Sequence, residues 1–559
     1  MLTEQRGKQK LRIKLKCLTA AATLGIALTA VSPTTSTFAK SEEKPQIEMG
    51  MVPETFVQAT SKVESQFSAV RNSLPLGTPN LNERRTTENL APGVTYTKIN
   101  RGETSTKDYF TVDAAFVETH REAKELLDRL KDEGYKDARI VREPNRAMDD
   151  QEKGPLGYLV RVGHFQLEAD AKKLQQQLAE KGYKGLRVVY TGEDGDRTTG
   201  PWVVNVLEVD PDQFQGTLLP ELANDMVTGK ETLTQMAKRN QAIAGINAGY
   251  FVVGENDGTP GDLAGIFAVD GQLLSEAING RSTLILPSTG ENSNIATVST
   301  SIQVTSSDGA IREVDGLNRK PGLIRNCGGV GGDSTTENPK HDFTCKDESE
   351  LIQFTSIFGE KTESGEGIEV VLNESGEVIE IRNQRGGDIP SSGSVLAGTG
   401  EAAQWLLDHA KTGMNLQVKS DIIADGKPLK LEQTTNIING GPRLLENGKI
   451  SINAVEEGFH WEEDPGFYYR FGERRNPRTL AGIKENGNLL FVTIDGRAPG
   501  WSVGANFEES AKVMKSLGAI DAINLDGGGS TSMSVGDHLV TRPSDATGER
   551  PIADAILLK

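Results

Sequence analysis

The stretch AINLDGGGSTSM, residues 522–533, ends an apolar strand in an acid and follows it with three glycines and hydroxyl side chains. Three other apolar runs end similarly: AGINAGYF at Asn247, NIINGGPRLL at Asn439 and LLFVTIDGR at Asp495. An Asn or Asp followed closely by Gly is also the commonest hairpin-turn signal. The residues beside these strand ends nevertheless include Arg443, Arg497 and Tyr250, which a solvated turn does not need. Their presence favours a ligand site.

A helix pattern links the strand of Asp495 to the strand of Asp526. Asn506 and Glu509 form a capping signal, and apolar residues recur on one face as far as Gly518. Strand, helix and strand in succession give parallel strands that end on the same edge of a sheet. Ligands bind at that edge in open α/β sheets. We therefore expect Asp495 and Asp526 to emerge together, with Asn247 beside them if its strand runs the same way.

The glycine-rich loop 527–531 can turn successive amides toward an anion. It is not a nucleotide-binding P-loop, because it has no lysine and a strand-like segment follows it. Arg443, Arg478 and Arg497 have the side chain best suited to gripping phosphate oxygens. The alternative for each arginine is an ion pair with one of the many surface acids.

Metal and nucleophile chemistry are the competing interpretations. The six histidines show no His-Glu-x-x-His pattern, which disfavours a zinc hydrolase. Asp495 and Asp526 could hold a divalent cation such as calcium or magnesium, or could be a base and a structural cap, and we expect no other cofactor. Ser530 lacks the G-x-S-x-G context of a serine hydrolase.

Length, charge and the first residues indicate a secreted protein of several domains. The 559 residues hold 61 bases and 79 acids, so the net charge is −18 and nucleic acid is a poor partner. Six bases precede a weakly apolar stretch, 17–31, that is shorter than the ~20 residues of a membrane span. Residues 1–39 therefore predict a signal peptide, and we expect no transmembrane segment in the mature chain. Without them the net charge is about −23.

Two cysteines follow the predicted signal peptide, Cys327 and Cys345. In an oxidising compartment a single disulfide is the natural prediction, with two free thiols as the alternative. It would close the glycine-rich insert between them.

An internal repeat lies near the front of the chain. EAKELLDRLKDEGYKDARIV (122–141) matches DAKKLQQQLAEKGYKGLRVV (170–189) at a fixed offset of 48 residues. Each copy predicts a helix with one apolar face, ended by Gly134 or Gly182 and flanked by strands. Two such units predict a ferredoxin-like sheet with both helices on one face.

This repeat and the segment YLVRVGHFQLEADAKKL (158–174) resemble the SPOR (sporulation-related repeat) family, whose members bind peptidoglycan glycan strands. The resemblance implies that the helix-free face of the sheet binds glycan, with Tyr158, Phe165 and Tyr190 stacking on sugars. Ordinary core packing is the alternative for each aromatic.

The motifs INAGYF, NGGPRLL, RNPRTLAG, FVTIDGR and LGAIDAINLDGGGSTSM, in this order, resemble the phosphodiester glycosidase family. The resemblance implies a hydrolase that separates a sugar from a phosphodiester at the anomeric carbon. Asp526 or Asp495 would be the catalytic base. The residues expected to bind substrate are Asn247, Tyr250, Arg443, Arg478, Arg497, Asn524, Gly527, Gly528, Gly529 and Thr531.

The predicted fold class is α/β in its mixed α+β form, with a large mixed-sheet domain and a small ferredoxin-like domain. The predicted ranges are 1–39 signal peptide, 40–106 lead-in, 107–192 SPOR domain and 200–559 glycosidase domain, with 86–102 as an alternative part of the last. We expect a bacterial, cell-wall-associated hydrolase whose partners are peptidoglycan glycan strands and a phosphorylated sugar or wall polymer. The alternatives are an inactive glycan-binding protein and a metal-dependent phosphodiesterase.

Overall fold

The computed structural model describes residues 73–327 and 339–559. The predicted signal peptide, residues 40–72 of the predicted lead-in and most of the glycine-rich insert lie outside these residues. No helix in the described ranges is long and apolar enough to cross a membrane. The α-helices are His120–Asp132, Glu168–Glu180, Leu233–Asn240, Gly400–His409, Pro465–Tyr468 and Phe507–Ser516.

An eight-stranded sheet forms the centre of the molecule, and each neighbouring pair in it is antiparallel. Its strands, in spatial order, are Glu83–Ala91, Val94–Arg101, Trp202–Val209, Leu489–Ile494, Arg478–Lys484, Ala519–Asn524, Arg443–Glu446 and Lys449–Ile450.

Four other sheets complete the large domain. One has Gln272–Ser275, Phe267–Val269, Ile437–Asn439, Arg281–Ile285, Asn294–Ser306, Leu416–Ala424 and Lys427–Pro428 in order, with Ile311–Glu313 paired to Asn294–Ser306. A second has Gly316–Leu317, Leu351–Phe354, Ser394–Gly398, Ile368–Leu372 and Val378–Arg382. A third has His538–Leu539, Met533–Val535, Ala244–Asn247, Asp554–Leu558 and Leu218–Leu222, and the last pairs Ile324–Arg325 with Thr344–Cys345.

The predicted strand, helix and strand are present, but the two strands are not neighbours. Leu489–Ile494 and Ala519–Asn524 run in the same direction and end on the same edge, as expected. Arg478–Lys484 lies between them and is antiparallel to both. The mixed α+β class is confirmed, whereas the expected parallel neighbours are wrong because the helical crossover skips one strand position.

Both faces of the central strands of the eight-stranded sheet are buried. On one face Leu480 packs in a core with Met514 of helix Phe507–Ser516. On the other face Ile523 packs in a core with Ile246 of the five-stranded sheet that contains Ala244–Asn247. Side chains alternate between the two faces of a strand, so neighbours such as Leu480 and Ala481 belong to different cores. Strand Ala519–Asn524 is thus fixed from both sides immediately before Asp526.

The internal repeat folds as predicted into a separate four-stranded sheet with two helices, here called the repeat domain. Its strands, in spatial order, are Arg139–Glu143, Gly157–Phe165, Phe110–Val117 and Arg187–Tyr190. Both helices pack their apolar stripes on one face of this ferredoxin-like sheet. The domain is inserted between Val94–Arg101 and Trp202–Val209, which are adjacent strands of the large sheet.

The helix-free face of the repeat domain is covered by the large domain, so the expectation that this face is an open glycan platform is wrong. Arg161, 3% exposed, bonds Asp113 at 2.7 Å, Asp194 at 2.5 Å and the Tyr469 hydroxyl at 2.9 Å. Phe116 stacks on Tyr469 with ring centroids 5.3 Å apart. These contacts cover the sheet surface on which a glycan would have to bind.

The three aromatic residues expected to stack on sugars pack against other residues of the protein instead. Tyr190 is 6% exposed and packs beside Phe110, with ring centroids 5.1 Å apart. Tyr158 and Phe165 are partly buried and pack on the helix-bearing side of the sheet. Ordinary core packing, the alternative to sugar stacking, therefore accounts for these aromatic residues.

Replacing Arg161 tests the docking of the repeat domain. Arg161→Leu leaves Asp113 buried without its cation, which we expect to lower the free energy of unfolding by about 3 kcal/mol. Chemical denaturation measures this loss. The control Lys124→Ala removes an exposed helix pair with Asp128 and should change stability by under ~0.5 kcal/mol. Equal, small effects of the two substitutions would contradict a docked sheet face.

Candidate active site

A cavity of about 420 Å³ opens where the glycine loop after strand Ala519–Asn524 meets the start of strand Arg478–Lys484. We call it the loop cavity. Its lining residues are Arg187, Asp342, Trp461, Phe467, Arg470, Phe471, Asn476, Arg478, Arg497, Asp526, Gly527, Gly528, Gly529 and Arg550.

The backbone of Asp526 is fixed by the strand tip that carries Asn247. The Asn247 amide nitrogen donates to the Asp526 carbonyl at 2.6 Å, and the Asp526 N–H donates to the Ala248 carbonyl at 3.0 Å. The amide oxygen of Asn247 accepts from Thr479 at 2.7 Å and from the Ser532 N–H at 3.0 Å. Asn247 therefore joins both sides of the loop and leaves the Asp526 carboxylate to face the cavity.

The environment of Asp526 suits a group that exchanges protons near neutrality. Burial raises the pKa of the Asp526 carboxyl to about 6, and the neighbouring charge of Arg550 opposes this rise. A catalytic base is most effective when its pKa lies close to the working pH. Asp526 is thus ionised in most molecules at pH 7 and remains a competent base.

The three glycines allow two guanidinium groups to approach the backbone. A Cβ on Gly529 would collide with the guanidinium of Arg550, and a Cβ on Gly528 would lie 3.3 Å from Arg497. Gly528 also has a φ of +59°, which disfavours other residues. The N–H groups of Gly528, Ser530 and Thr531 bond to protein carbonyls, so the loop offers fewer free amides than predicted.

Positive charge in the loop cavity is only partly neutralised. The Arg478 guanidinium donates to the carbonyls of Ala505 and Phe471, and no carboxylate pairs with it among residues 73–327 and 339–559. Burial lowers its pKa to about 10, so it stays cationic at neutral pH. Arg497 donates to the Asn476 amide oxygen at 2.9 Å. Two guanidinium charges are therefore free to attract an anion.

An aromatic wall faces the same space. Trp461 stacks on Phe467 with centroids 4.2 Å apart and an interplanar angle of 10°. Phe467 in turn stacks on Phe471 with centroids 5.7 Å apart and an angle of 7°. The cavity thus combines cations, a carboxylate and a flat apolar surface.

A second carboxylate reaches the cavity from the disulfide-bonded hairpin. Cys327 and Cys345 form the predicted disulfide, with their Cα atoms 5.8 Å apart. Asp342 lies on the segment that the disulfide closes, and its carboxylate pairs with Arg325. Its charge lies close enough to raise the pKa of Asp526 further. The disulfide therefore anchors one wall of the cavity.

The structure does not bring Asp495 into the loop cavity. Its carboxylate is 1% exposed and accepts from the Trp501 indole at 2.8 Å and from the Arg542 N–H at 3.2 Å. One strand separates it from Asp526 in the sheet. The expectation that Asp495 and Asp526 emerge together at one site is wrong, and the geometry favours Asp526 of the two as the base.

Other predicted substrate-binding residues lie behind the loop or point away from it. Arg443 donates to the Ile295 carbonyl at 2.7 Å and pairs with Glu446, so it does not reach the cavity. The Tyr250 hydroxyl donates to the Gly441 carbonyl and accepts from the Asn524 amide, both at 2.8 Å. These residues support the loop, as Asn247 does.

Thr531 is 6% exposed, and its hydroxyl has no hydrogen-bond partner in the part of the chain that the structure describes. It does not line the loop cavity. The predicted site residues that do line it are Asp526, Gly527, Gly528, Gly529, Arg478 and Arg497.

The metal alternative has no preformed ligand cluster in the described ranges. No three His, Cys, Asp or Glu side chains of residues 73–327 and 339–559 are grouped so that they could hold an ion. Asp495 and Asp526, the pair considered for calcium or magnesium, have separate surroundings.

Comparison with known proteins agrees with this arrangement. Residues 366–559 match the family model of the phosphodiester glycosidases, and residues 106–189 match that of the SPOR domain. The chain contains a phosphodiester glycosidase domain and an SPOR domain. The repeat domain is thus the SPOR domain, and the loop cavity lies in the glycosidase domain and at its border with the SPOR domain.

Three relatives show how far the similarity extends. A bovine (Bos taurus) N-acetylglucosamine-1-phosphodiester alpha-N-acetylglucosaminidase is 32% identical over 110 residues, which are 20% of this chain and 20% of that protein. An uncharacterized protein of Rickettsia conorii is 23% identical over 46% of this chain and 77% of its own. The crystal structure of a protein from Burkholderia pseudomallei, classed as exported, has a TM-score of 0.80 at 32% identity. It covers 89% of this chain and 100% of its own.

The matched stretch spans about a fifth of the bovine protein.

Several lining residues of the loop cavity are not predicted from the sequence. Asn476 lies inside the motif RNPRTLAG. The closely spaced arginines from Arg470 to Arg478 could have indicated an anion site in this segment. Asp342, Trp461, Phe467 and Arg550 lie far from any quoted motif, so only the fold brings them to the loop.

Removing the Asn247 side chain tests its supporting role. Asn247→Ala leaves the Asp526 carbonyl, the Thr479 hydroxyl and the Ser532 N–H unpaired, which we expect to cost about 2 kcal/mol of unfolding free energy. Thermal or chemical denaturation measures the loss. Unchanged stability combined with lost substrate binding would instead make Asn247 a direct ligand.

Proposed function

We propose that this protein is a secreted hydrolase that cleaves the glycosidic bond of a sugar-1-phosphodiester in a bacterial cell wall. The supporting observation is that one cavity holds the Asp526 carboxylate together with Arg478 and Arg497, which have no carboxylate partner within residues 73–327 and 339–559. The match to the phosphodiester glycosidase family supports the same reaction class.

The arginines supply what the leaving group requires. When the bond between the anomeric carbon and the phosphate oxygen breaks, negative charge grows on the phosphate. Arg478, Arg497 and the Asp545-paired Arg550 line the cavity where that charge would develop, and fixed charges in a partly buried site stabilise it most effectively. The departing phosphomonoester is a weak base, so its departure needs little help from a general acid.

Asp526 then acts on the sugar side of the bond. Its carboxylate can take a proton from the attacking water or stabilise the positively charged anomeric carbon. Asp342 is the second carboxylate of the cavity and the natural partner in a two-carboxylate mechanism. The wall formed by Trp461, Phe467 and Phe471 offers a flat apolar surface to the sugar ring.

The SPOR domain supports an action at the cell wall. SPOR domains bind peptidoglycan, and the disulfide fits an oxidising compartment outside the cytoplasm. Because the helix-free sheet face is covered, peptidoglycan would contact another surface of this domain.

Asp526→Asn tests the catalytic assignment. We expect the turnover of a sugar-1-phosphodiester to fall by about a thousandfold, because an amide cannot accept the proton. The fold should persist, since a neutral side chain suits this buried position. The control Asp537→Asn changes an exposed hairpin acid and should retain activity. Normal turnover by Asp526→Asn would remove Asp526 from the mechanism.

The pH profile provides an independent test. Burial raises the pKa of Asp526 to about 6. Since the ionised form is the base, kcat/KM should be constant above pH 7 and fall about tenfold per pH unit below pH 6. Steady-state kinetics between pH 4 and 8, with thermal denaturation at each pH, separates titration from unfolding. A rate that rises on acidification would contradict a base of this pKa.

A further inference from the structure

A second cavity of about 240 Å³ adjoins the loop cavity along the edge of the SPOR domain. The two cavities share Arg187, Arg470, Asn476 and Arg497. The second cavity continues over strand Arg187–Tyr190 and toward Arg474. The two cavities therefore adjoin: Asp526 of the glycosidase domain lines one, and the outer strand Arg187–Tyr190 of the SPOR domain lines the other.

The carboxylates of the second cavity are already matched by cations. Glu193 pairs with Arg474 at 2.6 Å, and Glu168 pairs with Lys172 at 2.8 Å. Arg187 and Arg497 make no ion pair within residues 73–327 and 339–559. Two guanidinium charges thus stand uncompensated at the place where the cavities meet.

Arg187 belongs to the SPOR domain, whereas Arg497 belongs to the glycosidase domain. The Arg187 side chain is exposed and makes no hydrogen bond to any residue in the described ranges, so its guanidinium is available to a ligand. Partial desolvation and the like charges of Arg474, Arg470 and Arg497 lower the pKa of this exposed guanidinium. An anion placed among these groups would relieve that repulsion.

The rigid border between the domains keeps Arg187 in place. Asp194 accepts from Arg161 of the SPOR sheet at 2.5 Å and from Arg474 at 2.6 Å. The Arg187 strand pairs with Phe110–Val117, whose Asp113 is bonded to the same Arg161. The SPOR domain is therefore a fixed wall of the groove, which a flexibly tethered module could not be.

We propose that the groove binds a substrate with a second phosphate beyond the reacting phosphodiester, held between Arg187 and Arg497. This inference rests on the proposed function and defines its substrate class as a polymer with repeating phosphate groups. In a protein with a net charge of −18, such a chain would be repelled without a local line of arginines. The SPOR domain contributes to specificity by supplying Arg187.

Two substrates with the same sugar-1-phosphodiester test the proposal. One has a neutral alkyl group on the phosphate, and the other has a dimer of the sugar-phosphate repeat that adds a second phosphate. The wild-type protein should show a kcat/KM about tenfold higher for the dimer, mainly through a lower KM. Arg187→Ala should abolish this preference, and Arg187→Lys should retain part of it.

Arg142→Ala is the matched control, because it removes an exposed arginine from another strand of the same sheet and leaves the groove intact. It should keep the wild-type preference. Equal kcat/KM for the two substrates in the wild-type protein would overturn the second phosphate site and leave the proposed reaction standing. An equal loss on both substrates in Arg187→Ala would do the same. Hydrolysis of neither substrate would overturn the proposed function, and this inference with it.

Discussion

The amide of Asn247 makes the interaction on which the rest of this site depends. It bonds the backbone on both sides of the glycine loop, at Asp526 and Ser532, and thereby ties the five-stranded sheet to the eight-stranded sheet. Two buried cores fix the strand that leads into the loop. With its backbone fixed, Asp526 can present a partly buried carboxylate to the cavity without moving toward solvent.

Two guanidinium groups can lie close to this loop because its glycines have no side chains. Arg550 lies where a Cβ of Gly529 would be, and Arg497 lies just beyond Gly528. The same glycines that shape the turn therefore bring guanidinium groups next to the carboxylate. A phosphate bound there would meet positive charge on one side and a base on the other.

Sequence patterns predicted the local structure well. The helix in each repeat, the capping box at Asn506 and the disulfide are present as predicted, because each depends on nearby residues or on the compartment. Asn247 and Asp526 meet as predicted, although their strands lie in different sheets. Asp495 and Arg443 were misplaced because side-chain direction depends on sheet order, which motif spacing does not encode. Arg187 could not be assigned to the site from sequence, since only domain docking brings it there.

In the proposed reaction the bond to the anomeric carbon breaks, with phosphate as the leaving group. Hydrolysis in water labelled with oxygen-18 tests it most directly, by mass spectrometry of both products of a sugar-1-phosphodiester. Attack of water at the anomeric carbon places the label in the anomeric hydroxyl of the released sugar and none in the phosphomonoester. Label in the phosphate would show attack at phosphorus and rule out cleavage at the anomeric carbon.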